Sequence, residues 1–564
     1  MVLLVAAALV YKRMQRRATT HMSPEAEPPM NALPHHSQDI PLIRSLQNST
    51  LYGHPAQCFE VIETHISWVI LTGPYAYKIK KPLDLGFLDF STLEKRRHYC
   101  EEELRLNRRL APQLYIGVIA ITGSPADPAL NGAGTPIEYA VKMVQFPQEA
   151  QLDRVMARDG LRPAHIDSLA QLIAGFHQRI AIAGQDTPYG SPANVYQPVE
   201  ENFLHIRPHL TEPAGIEQLE RLHTWSETET TRLLPFLQQR KVDGFIRECH
   251  GDMHLANMAL LDDQITIFDC LEFNENLRWI DVMSEAAFLM MDLDSRGASA
   301  LGWRFLNAYL TAGGDYQGLR LLRYYLVYRA LVRAKVACIR LGQASLSEEE
   351  RRAAHLQYQR YAGLAESYTQ PRATPLIITH GLSGSGKTTH TQLLLETLGA
   401  IRVRSDVERK RLFGLNPEAR TVSGIGTGLY TADTSRRTYQ HLAGLARTTI
   451  ESGYPVIIDA AFLKRAQRDM FHDLAACMGA PFVILNYQAP EAVLRARISQ
   501  RGQEGHDASE ADIKVLEHQL ITFEPITPEE SAHILDIDSQ QPPAPEKIRE
   551  FIEITGKIKT LRTV

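Results

Sequence analysis

Residues 381–388 read GLSGSGKT. An apolar run, PLIITH (375–380), leads into them, and a helix-forming stretch from Thr388 to Leu398 leads out. Gly381, Gly386, Lys387 and Thr388 meet the spacing G-x-x-x-x-G-K-[ST], in the strand-to-helix context that this loop requires. The glycines let successive backbone N–H groups turn inward around phosphate oxygens. Lys387 can reach the β- and γ-phosphates, and the Thr388 hydroxyl can ligate Mg²⁺. Gly381, Ser383, Gly384, Ser385, Gly386, Lys387, Thr388 and Thr389 are therefore the expected nucleotide-binding set. A chance glycine-rich turn has no reason to carry both flanks.

Four further apolar runs alternate with helical patterns around this loop: AIRVRSD (400–406), YPVIIDA (454–460), PFVILNY (481–487) and AHILDID (532–538). That alternation predicts a parallel sheet covered by helices. Asp459 is expected at the end of one strand, as a metal-side or water-orienting carboxylate. Asp406 is expected at the end of another, where substrates of open α/β sheets sit. Arg497 and Arg501, four residues apart in LRARISQRG (494–502), share a helix face and can close over a transferring phosphoryl group. A solvated basic face is the competing reading, and Arg495 lies in the same stretch.

These pieces resemble the small-molecule P-loop kinases, the AAA_33 or zeta-toxin-like group in particular. The matching segments are GLSGSGKT, SDVERK (405–410), VIIDAAFLKRAQR (456–468, with Lys464 and Arg465) and RARISQR before DASEAD (507–512). The resemblance covers roughly residues 374–540 and implies transfer of the ATP γ-phosphate to an acceptor hydroxyl. No N-K-x-D base-reading motif of GTPases and no ABC signature accompanies it.

The upstream part of the chain has a different pattern. CFEVIETH (58–65), ISWVILTG (66–73) and YAYKIKKP (75–82) are short β-branched and aromatic runs separated by turn residues. A helix pattern over residues 91–110 follows, with Ser91 or Thr92 as its cap. Two more strand-like runs come next, IGVIAIT (116–122) and IEYAVKMVQF (137–146). Three strands, one helix and two strands is the order of a protein-kinase-like N-lobe. Residues 151–370 read as mostly helical, with a β-like island at Glu248–Phe273.

Chemistry in this half concentrates in HGDMHLAN (250–257) and ITIFDCLEF (265–273). A kinase needs a carboxylate beside the acceptor hydroxyl, an Asn ligand and an Asp ligand for metal. Asp252, Asn257 and Asp269 occur in that order, and Asp252 and Asn257 have the spacing H-x-D-x-x-x-x-N. This resembles the aminoglycoside phosphotransferase and choline kinase-like superfamily, in which HGD replaces HRD. The resemblance implies that Asp252 is the base, that Asn257 and Asp269 hold Mg²⁺, and that His250 is structural. Lys78 in YAYK matches the V-A-I-K lysine, with Lys80 on the same strand face as the alternative. Glu103, out of Glu101, Glu102 and Glu103, is the expected helix partner. Gln145 and Phe146 end the fifth expected strand, at the adenine-facing hinge position. Asp281 in WIDVMSEAAF reads as a helix-start carboxylate. No G-x-G-x-x-G loop is present, and Asp269-Cys270-Leu271 stands in place of DFG.

The expected organisation is an apolar or disordered extension (1–45), a kinase-like N-lobe (46–150), a helical C-lobe (151–370) and a P-loop domain (371–564). The order resembles bacterial bifunctional aminoglycoside phosphotransferase/ATP-binding proteins, a likeness that does not identify a drug substrate. Met1–Tyr11 is apolar but short of the roughly 20 residues of a span, so an unimportant extension or a weak anchor are its two readings. A net charge of −5 over 564 residues argues against a bulk nucleic-acid binder. The six cysteines are scattered without a C-x-x-C pair, which fits a reducing cytoplasm. The sequence thus predicts an enzyme, an ATP- and Mg²⁺-dependent phosphotransferase with two sites and an unidentified hydroxyl acceptor. A regulatory protein that senses ATP without fast turnover is the alternative. A P-loop 5′-kinase of nucleic acid is a third reading, which needs a basic groove.

Overall fold

Short alternating strands in the first third of the chain cannot bury an apolar face alone, and they pair into an antiparallel sheet. In the computed structural model, which describes residues 40–562 except 87, 344–345, 417–418, 420–430, 505–510 and 542–544, this sheet has six strands. They are β1 (Glu60–Glu63), β2 (Ser67–Leu71), β3 (Tyr75–Lys80), β4 (Tyr115–Ser124), β5 (Asp127–Leu130) and β6 (Glu138–Val144), in the order β1-β2-β3-β6-β4-β5. One strand more than expected follows the helix, because Asp127–Leu130 folds back on the end of β4. The helix between β3 and β4, α1 (Leu93–Asn107), begins where the Thr92 side chain accepts the Lys95 N–H. Ile70, Ile79, Ile121 and Ala140 pack one face of the sheet, together with the short helix Pro41–Ser45.

The chain divides into two units. The first takes in the described residues up to His165, Arg179–Ser295 and Tyr324–Thr369. Beyond the six-stranded sheet it is helical, with the long helices Pro192–Ile206 and Pro213–Val242. The embedded β-island consists of β7 (Ile246–Glu248), β8 (Met258–Leu261), β9 (Gln264–Ile267) and β10 (Trp279–Asp281), paired β8 with β9 and β7 with β10. The helix that follows, α2 (Val282–Ser295), is buried along almost its whole length.

The second unit comprises Ile166–Gln178, Arg296–Arg323 and Gln370–Val564. Its parallel sheet contains β11 (Leu376–His380), β12 (Ile401–Arg404), β13 (Val456–Asp459), β14 (Phe482–Gln488) and β15 (Ile534–Asp538), in the order β12-β13-β11-β14-β15. Strands β11, β13 and β14 are near-continuous Ile, Leu and Val runs because helices cover both faces. The upstream helix Ser299–Gly313 belongs to this unit. Its Asn307 donates to Ala400 O at 2.9 Å and accepts from Arg402 N at 2.7 Å, satisfying backbone at the sheet edge. Trp303 fills the space beside Gly399, where a Cβ would lie 2.8 Å from the indole.

Strand β12 ends at Arg404, so Asp406 lies in the first turn of the next helix, Ser405–Leu412, and not at a strand end. Asp406 and Glu408 put negative charge in the first turn, where the helix dipole favours it, and the strand stops two residues before its expected end. Asp269 likewise lies two residues beyond β9, and Gln145 and Phe146 follow β6, which closes at Val144. Met1–Tyr11 and the linker to Asp39 lie outside the described residues, as do Asp507–Glu510 of DASEAD. Among the described residues, no helix is long and apolar enough to cross a membrane.

Candidate active sites

The first site starts from two periodicities. Strand alternation puts Lys78 and Lys80 on one face of β3. Helix periodicity puts Cys100, Glu103, Leu106 and Asn107 of α1 on the buried face, while Glu101 stays exposed. Glu103 is therefore the acid that meets the strand. Lys78 Nζ lies 2.7 Å from Glu103 Oε1 and 2.7 Å from Asp269 Oδ1.

The HGDMHLAN loop is held by its backbone. Glu285 of α2 accepts the N–H groups of His250 at 3.1 Å and of Gly251 at 2.6 Å. Asp292, two turns further on, accepts the Leu255 N–H at 3.0 Å. Gly251 has φ 89°, and a Cβ there would lie 3.0 Å from Leu277 O. The buried His250 ring bonds Phe268 O at 2.9 Å through Nε2, which ties the loop to the segment entering Asp269. Asn257 Nδ2 donates to Asp252 O at 2.9 Å and to Asp252 Oδ2 at 3.1 Å. Asp269 adopts φ 63°, a left-handed conformation that Asp tolerates better than most residues. Its N–H donates to the Tyr115 hydroxyl at 3.2 Å, and the next N–H, of Cys270, donates to Asn107 Oδ1 at 2.8 Å.

Charge in this site is paired. Burial alone would push the Lys78 ammonium down, but Asp269 and Glu103 override it and hold it well above the usual lysine value. Burial would likewise raise Glu103 and Asp269; Lys78 and Lys80 together hold Glu103 below its ordinary range, and Lys78 draws Asp269 the same way. The ionised forms that a kinase uses are thus the stable ones here. Asn257 and Asp269 offer oxygen donors of the hard type that Mg²⁺ prefers.

Strand β11 delivers the phosphate loop of the second unit, and helix α3 (Lys387–Leu398) leaves it. Gly381, Gly384 and Gly386 have φ of 146°, 80° and 80°. A Cβ on Gly381 would lie 2.7 Å from Tyr487 O, and one on Gly384 would lie 2.7 Å from Leu494 O. Lys387 Nζ folds over the loop onto Gly381 O and Leu382 O, both at 2.8 Å, and Ser385 Oγ at 3.2 Å. Burial lowers its pKa to about 8, against the pull of Asp459 and Asp406. Thr388 Oγ1 donates to Asp459 Oδ2 at 2.8 Å, so the two oxygen ligands expected around Mg²⁺ are adjacent.

The other candidates divide. Asp406, in α4 (Ser405–Leu412), lies 3.4 Å from Arg409. Arg497, on α5 (Glu491–Glu504), reaches the loop: Nη1 lies 3.4 Å from Gly384 O and 3.0 Å from Ser539 Oγ. Arg501 instead donates to Ala511 O at 2.7 Å, and Arg495 pairs with Glu491 and Glu517 on the surface. Ser383 N–H is taken by Gln519 Oε1 at 2.8 Å, from helix α6 (Ile513–Thr522). Thr389 is exposed on the first turn of α3. Lys464 Nζ and the Arg465 backbone N–H both bond Glu524, and the Arg465 guanidinium pairs with Glu529. In the first unit, Gln145 Oε1 accepts from Thr72 N at 3.1 Å and Gly73 N at 2.9 Å, tying the residue after β6 to the turn between β2 and β3. Phe146 packs edge-on against Phe268. Asp281 caps Met283 N at 2.8 Å and grips Arg240 at 2.6 Å, a structural role.

Sequence reading missed Glu285, Asp292, Asn107, Tyr115, Glu272 and Gln519. A signal existed for two of them. Glu285 and Asp292 are acids on a mostly apolar helix, and a buried acid there needs a partner.

Residues 89–322 match the Phosphotransferase enzyme family, and residues 376–526 match an AAA domain. The protein Rv2004c of Mycobacterium tuberculosis is 30% identical over 466 residues, covering 82% of this chain and 91% of that one. Among solved structures, an aminoglycoside phosphotransferase from Alicyclobacillus acidocaldarius aligns at 13% identity and TM-score 0.34, over 63% of this chain and 97% of its own. A sugar kinase from Janibacter aligns at 24% identity and TM-score 0.23, over 32% and 91%. The chain belongs to the family of Rv2004c, and it joins a kinase-like domain of the Phosphotransferase enzyme family to a C-terminal AAA domain of P-loop kinase type.

Proposed function

We propose that both units are ATP-dependent phosphotransferases acting on hydroxyl acceptors. The observation that carries this reading is the meeting of Lys78 with Glu103 and Asp269 at 2.7 Å each, beside an Asp252–Asn257 pair at 3.1 Å. A protein that only senses nucleotide has no need of a base such as Asp252 in that place.

In the first unit the acceptor O–H passes its proton to the Asp252 carboxylate as its oxygen attacks the γ-phosphorus, and ADP leaves. Lys78 binds the nonreacting phosphates, and Glu103 orients it. Asn257 and Asp269 would hold Mg²⁺, which supplies charge neutralisation for the triphosphate when bound. In the second unit the loop N–H groups and Lys387 cradle the phosphates, Thr388 and Asp459 provide the metal-side oxygens, and Arg497 stands at the loop edge. Asp406 is the candidate on the acceptor side. The acceptors are small or macromolecular alcohols, and the six free thiols fit a reducing compartment such as the cytoplasm.

The test is transfer from γ-labelled ATP to a cell extract by wild type, Asp252→Asn, Lys387→Ala and the double variant. Each single change should remove a subset of labelled products, and the double change should remove all of them. Labelling that survives the double change would refute both assignments.

A further inference from the structure

The buried charge chain does not stop at Glu103. Lys80 is fully buried, and its Nζ lies 2.7 Å from Glu103 Oε2 and also pairs with Glu272 Oε1. Glu103 is thus gripped on both oxygens, by Lys78 on one and by Lys80 on the other. Glu272, three residues past Asp269, is equally buried, and Phe90 lies against the Lys80 ammonium, 4.9 Å from centroid to Nζ. One ammonium joins β3, α1 and the segment leaving Asp269.

Neutralising buried charge is a weak reason for such a pair. A buried ion pair is often no more stabilising than apolar side chains of the same volume. A division of labour explains it better. In kinases the strand lysine must reach phosphates and the metal-binding Asp must turn to its ion, while the lysine–glutamate pair stays in place. Lys78 is already shared between two carboxylates and acquires a third duty when nucleotide arrives. Lys80 is enclosed and has no such duty.

We propose that Lys80, anchored by Glu272, is a positioning residue that keeps Glu103 and α1 in catalytic register with or without nucleotide. This rests on the phosphotransferase reading of the first unit. It means that this lobe needs no separate activating event to bring its helix inward, unlike kinases in which helix position is the regulated variable.

The test uses full-length protein carrying Lys387→Ala, so that nucleotide binding reports the first unit alone. Lys80→Met/Glu272→Met removes the pair together, so that Glu103 keeps Lys78 on Oε1 and loses its partner on Oε2; Glu272→Gln, which keeps shape, is measured in parallel, with Lys80→Arg as the conservative control. Hydrogen exchange of the α1 amides around residues 100–107 and MgATP affinity by calorimetry are the readouts. The parent should protect these amides with and without MgATP. The double-Met variant, or Glu272→Gln if the former does not fold, should exchange roughly tenfold faster in α1 without nucleotide and recover with it, and should bind MgATP roughly tenfold more weakly. Lys80→Arg should restore both. Exchange and affinity equal to the parent, or faster exchange across the whole lobe that MgATP does not reverse, would overturn the proposal. Neither readout needs turnover. Absence of labelled product from the wild type counts against phosphotransfer, and unchanged exchange in α1 counts against Lys80.

Discussion

Lys78 Nζ and Asp269 Oδ1 stand 2.7 Å apart although 191 residues separate them in the chain. Sheet, helix and loop all converge on that contact. With Glu103 on the same ammonium, it sets the first site in a paired, ionised state before any nucleotide binds. Four expectations follow from this site and its P-loop counterpart.

Asp252 is positioned by Asn257 and lies 6% exposed. Asp252→Asn keeps the volume and removes the proton acceptor. Turnover by the first unit should fall by about 10²–10⁴, with MgATP affinity changed less than about threefold. Steady-state kinetics and calorimetry in the Lys387→Ala background separate the two effects. A large loss of binding with turnover retained would contradict the role of base.

Glu285 carries the backbone of His250 and Gly251 on its two oxygens. Glu285→Ala strands two buried N–H groups, each costing about 1–3 kcal/mol. The first unit should lose about 2–4 kcal/mol in urea denaturation followed by a probe in that unit. Glu285→Gln keeps one acceptor oxygen and should lose roughly half as much. Equal stability of Glu285→Ala and wild type would show that the loop holds itself.

Gly384 combines φ 80° with a Cβ position 2.7 Å from Leu494 O. Gly384→Ala therefore carries both backbone strain and a clash against fixed backbone. MgATP affinity of the second unit should drop by at least about tenfold, with the first unit unaffected. Calorimetry in a Lys78→Ala background, which removes the phosphate-binding lysine of the first unit, measures this, and undiminished second-site binding would mean that the loop relaxes at little cost.

Lys387 has its pKa lowered to about 8 by burial. A bound triphosphate stabilises the ammonium and raises that value, so the complex holds more protons than the free protein above pH 8 or so. Affinity for MgATP at the second site should accordingly weaken as pH rises from about 8 toward 10, with net proton uptake on binding. Calorimetry in buffers of different ionisation enthalpy measures the uptake. Proton release in that window would contradict a depressed lysine.

Sequence spacing was enough to identify both loops, because their chemistry is local. GLSGSGKT needs its glycines where φ is positive, and Asp252 and Asn257 must be five residues apart to face one another. The period of α1 was legible as well, so the choice of Glu103 over its two neighbours followed from which face is buried. Asp406 shows where such reading fails at the margin: with acids in the first turn of the next helix, β12 stops two residues before its expected end, and boundary residues obey whichever local preference is stronger.

Order along the chain was sufficient for the P-loop motif, the HGDMHLAN motif, a parallel sheet and a kinase-like lobe, since periodicity and turn chemistry act over a few residues. Only folding decided which distant groups share a charge. Glu285 under the His250 loop, Glu272 on Lys80, Gln519 on the Ser383 amide and Asn307 at the edge of β12 are all contacts between elements far apart in sequence. A buried polar atom takes the nearest available partner in space, and nothing in the spacing of residues announces which partner that is.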